Sequence, residues 1–181
     1  MPALTGNASQ LNTQAIQLAS SGDYKEAIAC FKKALSIETD NYLLWYNLGV
    51  TYRDSGDLLM AKESLIKAFS IEDDDDEVIE SLALIDFNIG LNSEAMDFCK
   101  MGLERNAANA HLWNTLGVIY FNMQIYDKAA ESFEQAVSID PFYYDALYNL
   151  RDTYEETGNK TGAAICREQM KNIKNRGPLN A

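Results

Sequence analysis

The chain has 181 residues, a hydrophobic content of 47% and a formal net charge of −12. This length and apolar content are typical of one folded domain and exclude wholesale disorder. The strong negative charge disfavours nonspecific binding to nucleic acid or to an anionic membrane surface, because both carry charge of the same sign. We therefore expect no nucleic acid partner and no insertion into a membrane.

The sequence contains no motif of a familiar catalytic or metal site. Its single histidine, His111, has no obvious Cys or Ser partner, and no phosphate-binding glycine loop, nucleophile elbow or zinc motif occurs. Cys30, Cys99 and Cys166 fit no metal or redox spacing, so we predict that they are packing residues in a reducing compartment. A signal-peptide pattern and an apolar run of about 20 residues are also missing. The sequence predicts a cytoplasmic protein that is not an enzyme and has no catalytic residue, metal or cofactor.

Taken in chain order, the elements recur with a period of 34 residues. Gly22, Gly56, Gly90 and Gly158 lie in one register, and Gln124 fills the remaining slot. Alanine recurs in the same way in all five units, as Ala27, Ala61, Ala95, Ala129 and Ala163. The period predicts one array over residues 8–177, between tails at 1–7 and 178–181, with units at 8–41, 42–75, 76–109, 110–143 and 144–177. Each unit is predicted to be a helix, a turn centred on the glycine column and a second helix.

The fourth unit shows why these residue types recur. Trp113, Leu116, Gly117 and Tyr120 are spaced i, i+3, i+4 and i+7, which places them on one helical face. The small Gly117 lets the first helix approach its partner closely, and larger side chains fill the space around that contact. One hairpin cannot bury its own apolar face, whereas stacked neighbours can, so we expect the array to be continuous.

These residues resemble the tetratricopeptide repeat (TPR) family, whose pattern is W-x2-L-G-x2-Y, then A-x3-F, then A and P. The first half is matched fully in the second and fourth units, by Trp45-Leu48-Gly49-Tyr52 and Trp113-Leu116-Gly117-Tyr120; the second half is matched by Ala129-Phe133-Ala136-Pro141. The resemblance implies an all-α fold, a right-handed α-solenoid of five antiparallel helix pairs. It also implies a concave groove, lined mainly by first helices, that binds other proteins.

Two units depart from the family pattern. The third has Asp86 at the aromatic position and Cys99 in place of Phe. The fifth has Arg151 at the small-residue position and Arg167 at the Phe position, so we predict that it is degenerate or a cap. Its second helix, about 160–174, is expected to cover the end of the core.

A partner is expected to bind the groove-facing positions of the first helices. The predicted binding residues are Tyr46, Asn47, Val50, Arg53, Leu84, Phe87, Asn88, Asn114, Val118, Phe121, Asn122, Tyr148 and Asn149. Among them, apolar residues could bury an anchor of the partner, and amides offer both donor and acceptor to a peptide backbone. The alternative interpretation is that they pack between adjacent helices or are ordinary solvated residues. Acidic side chains at Asp145, Asp152, Glu155 and Glu156 favour a neutral or basic ligand.

Charge is distributed unevenly outside the groove. An acidic run at 73–77 joins the second and third units, and we interpret it as a solvated loop that favourably charges a helix N-terminus. The C-terminal stretch carries Lys160, Arg167, Lys171, Lys174 and Arg176. The acidic middle and basic end also allow head-to-tail homo-oligomerisation. Three functions therefore stay open: an adaptor that binds a peptide or helix, a self-assembling structural subunit of a larger complex, and a cargo chaperone.

Overall fold

The computed structural model describes residues 6–176, and every helix or strand within that range is an α-helix. The all-α class and the succession of helix pairs predicted from the repeat are confirmed. Residues 1–5 and 177–181, which include most of the predicted N-terminal tail and all of the predicted C-terminal tail, lie outside the described residues. In chain order the helices are α1 Ala8–Ser20, α2 Tyr24–Leu35, α3 Tyr42–Asp54, α4 Leu58–Ile71, α5 Asp76–Asn88, α6 Asn92–Arg105, α7 Ala110–Asn122, α8 Tyr126–Ile139, α9 Tyr144–Glu156 and α10 Lys160–Arg176.

The first helix of each repeat begins immediately after a cap residue, and these caps recur every 34 residues. Asn7, Asn41, Asp75 and Asn109 each accept a hydrogen bond from a backbone N–H in the first turn of the helix that follows. Such bonds satisfy amides that have no partner within the helix. At the fifth position stands Tyr143, whose hydroxyl oxygen lies 3.1 Å from Nδ1 of His111. Asp75, which caps α5, belongs to the acidic run at 73–77.

The chain divides between Leu91 and Asn92 into two compact units. Unit 1 contains α1 to α5 and unit 2 contains α6 to α10. Within each unit every helix packs on the next one in the chain, and first helices also contact one another directly: α1 with α3, α3 with α5, and α7 with α9. First helices thus form one layer in each unit, which we call the first-helix face. No helix within residues 6–176 has both the length and the apolar composition needed to cross a bilayer.

The hairpins close through contacts that exclude even one extra carbon atom. A Cβ added to Gly117 would lie 2.6 Å from Cε1 of Phe133, and a Cβ on Gly49 would lie 2.7 Å from Cγ of Leu65. Phe133 is buried in a cluster of unit 2 that also includes Leu147, Leu150, Cys166 and Met170. The approach predicted for the small-residue column is therefore achieved in both units.

The departures of the third repeat lie at buried positions. Asp86, at the aromatic position, has no solvent exposure, and its Oδ1 lies 2.6 Å from Nζ of Lys62 on α4. Neither oxygen of this carboxylate accepts a hydrogen bond from a donor within residues 6–176, so its contact with Lys62 is an ion pair alone. Cys99 is buried as well, and burial raises the pKa of its thiol to about 12. Such a thiol stays protonated at neutral pH and acts as a small apolar side chain, which was the role predicted for it.

The fifth hairpin has charged residues, Arg151 and Arg167, at the two positions where the fourth hairpin closes through Gly117 and Phe133. The Arg151 guanidinium stacks on the Tyr148 ring at 4.0 Å and bonds Asp152. Arg167 donates to Glu155 at 2.6 Å, and Arg151 lies 3.6 Å from the same carboxylate. Cys166 and Met170 of α10 are buried in the cluster of unit 2, so α10 covers the end of that core while its charged groups face solvent.

The turn of the fourth repeat contains backbone strain that its counterparts avoid. Gln124 has φ +60°, whereas the other turns have glycine at φ between +76° and +88°. A left-handed conformation costs an L-residue about 1–2 kcal/mol, and glycine loses about 0.5–1 kcal/mol more chain entropy on folding. We therefore expect Gln124→Gly to raise the free energy of unfolding by up to about 1 kcal/mol, measured by urea denaturation.

Gly56→Ala is the matched control for Gln124→Gly. A Cβ at Gly56 would meet no atom within 4 Å, so the substitution changes only the backbone preference. It should lower the free energy of unfolding by a similar amount. Unchanged urea midpoints in both variants would contradict the idea that the turn is strained.

Candidate functional site

In unit 1 the predicted binding residues lie along the first-helix face, but several already contact each other or neighbouring helices. Asn47 Nδ2 donates to Oδ1 of Asn12 on α1 at 3.2 Å. Tyr46 reaches α5: its pKa is raised by burial and by the Glu77 carboxylate, against a hydrogen bond with Ser81 that lowers it. These contacts tie α3 to both neighbouring first helices.

The remaining predicted residues of unit 1 differ in exposure. Leu84 is 38% exposed, as is expected of a side chain available to a partner, and Asn88 is exposed at the end of α5. Val50 and Phe87 are half-buried. Arg53 is neutralised by Asp54, with 2.9 Å between Nη2 and Oδ1. This leaves a surface whose apolar centre is Leu84 and Phe87.

In unit 2 the same face is built on α7 and α9. Asn149 Nδ2 donates to Asn114 Oδ1 at 2.9 Å, which repeats the Asn47–Asn12 bond of unit 1. Asn122 Nδ2 donates to the carbonyl of Val118 in its own helix. Each asparagine pair uses one donor and one acceptor, so its amides retain further hydrogen-bonding capacity for a ligand.

The apolar residues predicted in unit 2 also have structural contacts. Val118 and Phe121 are half-buried against the Phe133 cluster, and Phe121 meets the Tyr126 ring edge-on, with centroids 5.4 Å apart. Tyr148 is 45% exposed beneath the Arg151 guanidinium. Tyr148 is therefore the most accessible aromatic side chain among the predicted residues of this unit.

The structure also contains two related pockets that the sequence interpretation missed. The Trp45 pocket, a cavity of about 670 Å³ in unit 1, lies between α2 and α4 over Trp45, Leu48 and Tyr52 of α3. The Trp113 pocket, about 580 Å³ in unit 2, lies over the corresponding Trp113, Leu116 and Tyr120. The signal was present in the sequence, because these three positions repeat 68 residues apart. From the sequence alone these positions predict hairpin packing and no pocket.

Both tryptophans are held in the same way. Nε1 of Trp45 donates to the carbonyl of Thr39 at 2.8 Å, and Nε1 of Trp113 donates to the carbonyl of Ala107 at 2.9 Å. These bonds satisfy the indole N–H and leave the ring half-exposed at the pocket. The two pockets therefore share a floor and differ in their walls.

Comparison with known families identifies the repeat independently. Tetratricopeptide repeat profiles match residues 42–75 and 110–143, and a TPR repeat profile matches residues 17–56. Among curated proteins, BBSome complex member BBS4 of Bos taurus is 29% identical over 126 residues, covering 70% of this chain and 24% of BBS4. The probable UDP-N-acetylglucosamine–peptide N-acetylglucosaminyltransferase SPINDLY of Hordeum vulgare is 28% identical over 120 residues, covering 62% of this chain and 13% of SPINDLY. The chain thus spans less than a quarter of the length of either relative.

Solved structures resemble the chain over a larger share of its length. A crystal structure of MamA has 27% identity and a TM-score of 0.79, covering 90% of this chain and 95% of MamA. YrrB, described as a TPR protein with an unusual peptide-binding site, has 21% identity and a TM-score of 0.70, covering 94% of this chain and 88% of YrrB. At that identity the similarity to YrrB shows the fold alone.

Proposed function

Because the chain belongs to the tetratricopeptide repeat family, we propose that it is an adaptor whose first-helix face binds a peptide or helix of another protein. A role as a protein–protein interaction scaffold follows from the family in general. The finer proposal is that the ligand has apolar anchors and is neutral or basic. It is supported chiefly by the exposure of Leu84 beside Phe87 on α5, where an apolar anchor could be buried.

The charge of the proposed ligand is supported by acidic groups on α9, in the first-helix face of unit 2. Asp145 and Glu156 of α9 are exposed, while Asp152 and Glu155 are engaged by Arg151 and Arg167. In unit 1, Arg53 is already neutralised by Asp54. An anionic peptide would meet repulsion at α9, whereas a neutral or basic one would not.

The proposal does not include catalysis. The SPINDLY match covers 13% of that protein, so it supports the repeat and carries no transferase activity over to this chain. The candidate face contributes helices, amides and apolar side chains, which suit recognition of another polypeptide.

The proposal predicts that Phe87→Ala combined with Phe121→Ala abolishes the capture of protein partners. Removing both rings takes away apolar area that a ligand would bury, and affinity should fall by about tenfold or more. The measurement is affinity capture from source cells with the intact chain and with the variant, followed by identification of the proteins lost.

Two further variants make that experiment decisive. Leu84→Ser changes an exposed side chain, so it should weaken capture without affecting the core that Phe121 contacts. Leu59→Ala is the control, because Leu59 is 68% exposed on the second helix α4. Circular dichroism confirms that each variant is folded. Equal capture by the wild type, the double variant and Leu84→Ser would sink the proposal.

Head-to-tail self-association through the acidic run at 73–77 and the basic C-terminal stretch is the second proposal. The charges on which it depends already have internal contacts: Asp75 caps α5, Lys174 lies 5.1 Å from the centroid of the Tyr144 ring, and Arg167 pairs with Glu155. Sedimentation over a range of protein and salt concentrations distinguishes self-association from binding of a different protein. Mass that rises with concentration and falls in high salt would favour self-association.

A further inference from the structure

The Trp45 pocket has features of a second recognition site, separate from the residues of the first-helix face. Its floor consists of Trp45, which is half-buried, and of Leu48 and Tyr52, which are buried. At its wall Met60 is half-buried and Ile66 is 44% exposed. Its volume of about 670 Å³ falls within the range of cavities that bind ligands. Its lining is thus predominantly apolar and accessible from solvent.

Two lysines give the mouth of this pocket a positive charge in a strongly negative chain. Lys32 of α2 and Lys67 of α4 line opposite sides, with Glu63 as the acidic residue of the lining. Lys32 lies 5.6 Å from the centroid of the Tyr52 ring. Within residues 6–176, no carboxylate forms an ion pair with either lysine. Two unneutralised ammonium groups beside apolar walls favour a ligand that presents carboxylates next to an apolar group.

The Trp113 pocket shows which of these features are specific to unit 1. It retains the Trp, Leu and Tyr of the floor, but Met60 is replaced by Lys128 and Lys67 by Gln135. The Lys128 ammonium lies 5.4 Å from the centroid of the Tyr120 ring. At the position of Ile66 stands Glu134, which accepts a hydrogen bond from the Tyr154 hydroxyl at 2.7 Å. The repeat fold therefore does not require Met60, Ile66 or Lys67, and these residues are specific to the Trp45 pocket.

We propose that the Trp45 pocket binds a segment of a partner protein that carries a bulky apolar side chain flanked by carboxylates. The apolar side chain enters between Trp45, Met60 and Ile66, and the carboxylates meet Lys32 and Lys67. This ligand has the opposite charge preference from the one proposed for the first-helix face. The two sites could thus hold two different segments at once.

The test is a selection from a randomised library of helical peptides displayed on phage. Binders are enriched on the wild-type chain and depleted on Met60→Lys/Lys67→Gln, which gives the Trp45 pocket the residues of the Trp113 pocket. Because unit 2 already accommodates those residues on the same floor, the variant should fold, as circular dichroism would verify. We expect the surviving peptides to be rich in Asp or Glu beside Leu, Phe or Trp, and to bind the variant about tenfold or more weakly.

Two reciprocal controls complete the design. The first control is the reverse exchange, Lys128→Met/Gln135→Lys, which gives the Trp113 pocket the residues of the Trp45 pocket. Introduced into the chain that carries Met60→Lys/Lys67→Gln, it should restore binding of the selected peptides. Phe87→Ala/Phe121→Ala should leave the selected peptides bound, which separates this site from the first-helix face.

Several results would overturn the proposal. A selection that yields no peptide dependent on Met60 and Lys67, or that yields basic peptides, is one of them. A long-chain carboxylate such as decanoate that bound the pocket more tightly than every selected peptide would identify an amphiphile as the occupant. Concentration-dependent self-association that disappears in Met60→Lys/Lys67→Gln would identify a second copy of the chain instead.

Discussion

Replacing Lys62 by methionine is expected to lower the free energy of unfolding by about 3–5 kcal/mol, because it leaves the Asp86 carboxylate buried without its counter-ion. Asp86 has no exposed surface, and Lys62 Nζ at 2.6 Å is its nearest charged partner. The Lys62 side chain is itself 23% exposed, so methionine can occupy its path without creating a large void. Urea denaturation followed by circular dichroism measures the loss.

The matched control for this prediction removes both charges together. Lys62→Met combined with Asp86→Leu should be as stable as the wild type or more so, since a buried ion pair can often be replaced by apolar residues without loss. The Lys62–Asp86 ion pair would then help to specify how α4 packs against α5 without adding to the free energy of unfolding. A Lys62→Met variant as stable as the wild type would show that the carboxylate finds another way to avoid an unpaired buried charge.

Phe133→Ala should have an effect of similar size in unit 2. Phe133 is 1% exposed and packs with Leu147, Leu150 and Met170, so truncation leaves a cavity that costs about 3–5 kcal/mol. Gly117→Ala should cost about 1–3 kcal/mol for the opposite reason, because its new Cβ would overlap the Phe133 ring. Urea denaturation of both single variants gives the two values.

The double variant tests whether the losses of stability in Gly117→Ala and Phe133→Ala both depend on the contact between these two residues. In a chain that already carries Phe133→Ala, Gly117→Ala has no ring to meet, so its cost should largely disappear. Gly49→Ala is the control in unit 1, where the obstacle is Leu65, and its cost should be unaffected by Phe133→Ala. Strict additivity of Gly117→Ala and Phe133→Ala would mean that the close approach does not determine the stability of this hairpin.

The repeat could be predicted from the sequence because its signals are local and occur several times. Trp113, Leu116, Gly117 and Tyr120 define one helical face within eight residues, and the same pattern recurs from Trp45, so it does not arise by chance. The helices, their hairpin contacts and the buried cysteines follow from that pattern. So does the buried position of Asp86, which lies in the aromatic column.

The contacts of the candidate site could not be predicted, because they join different repeats. Asn47 was expected to face a peptide, yet its amide bonds Asn12, which lies 35 residues away. Nothing in the repeat pattern indicates that Lys62 of α4 pairs with Asp86 of α5. The two tryptophan pockets likewise could not be predicted, because each is lined by side chains of more than one helix. A periodic pattern identifies which residues are equivalent, but not what each one meets across a helix boundary.

The regular column of cap residues has a consequence for how such a chain can change length. Asn7, Asn41, Asp75 and Asn109 each begin a first helix with its own N-terminal bond. A duplication or excision with both junctions at these residues would leave every first helix with its own cap residue, whereas junctions at non-equivalent positions of the repeat would truncate a helix or remove its cap. The capping column therefore marks one set of equivalent positions, outside the helices, at which the gene can gain or lose a whole module.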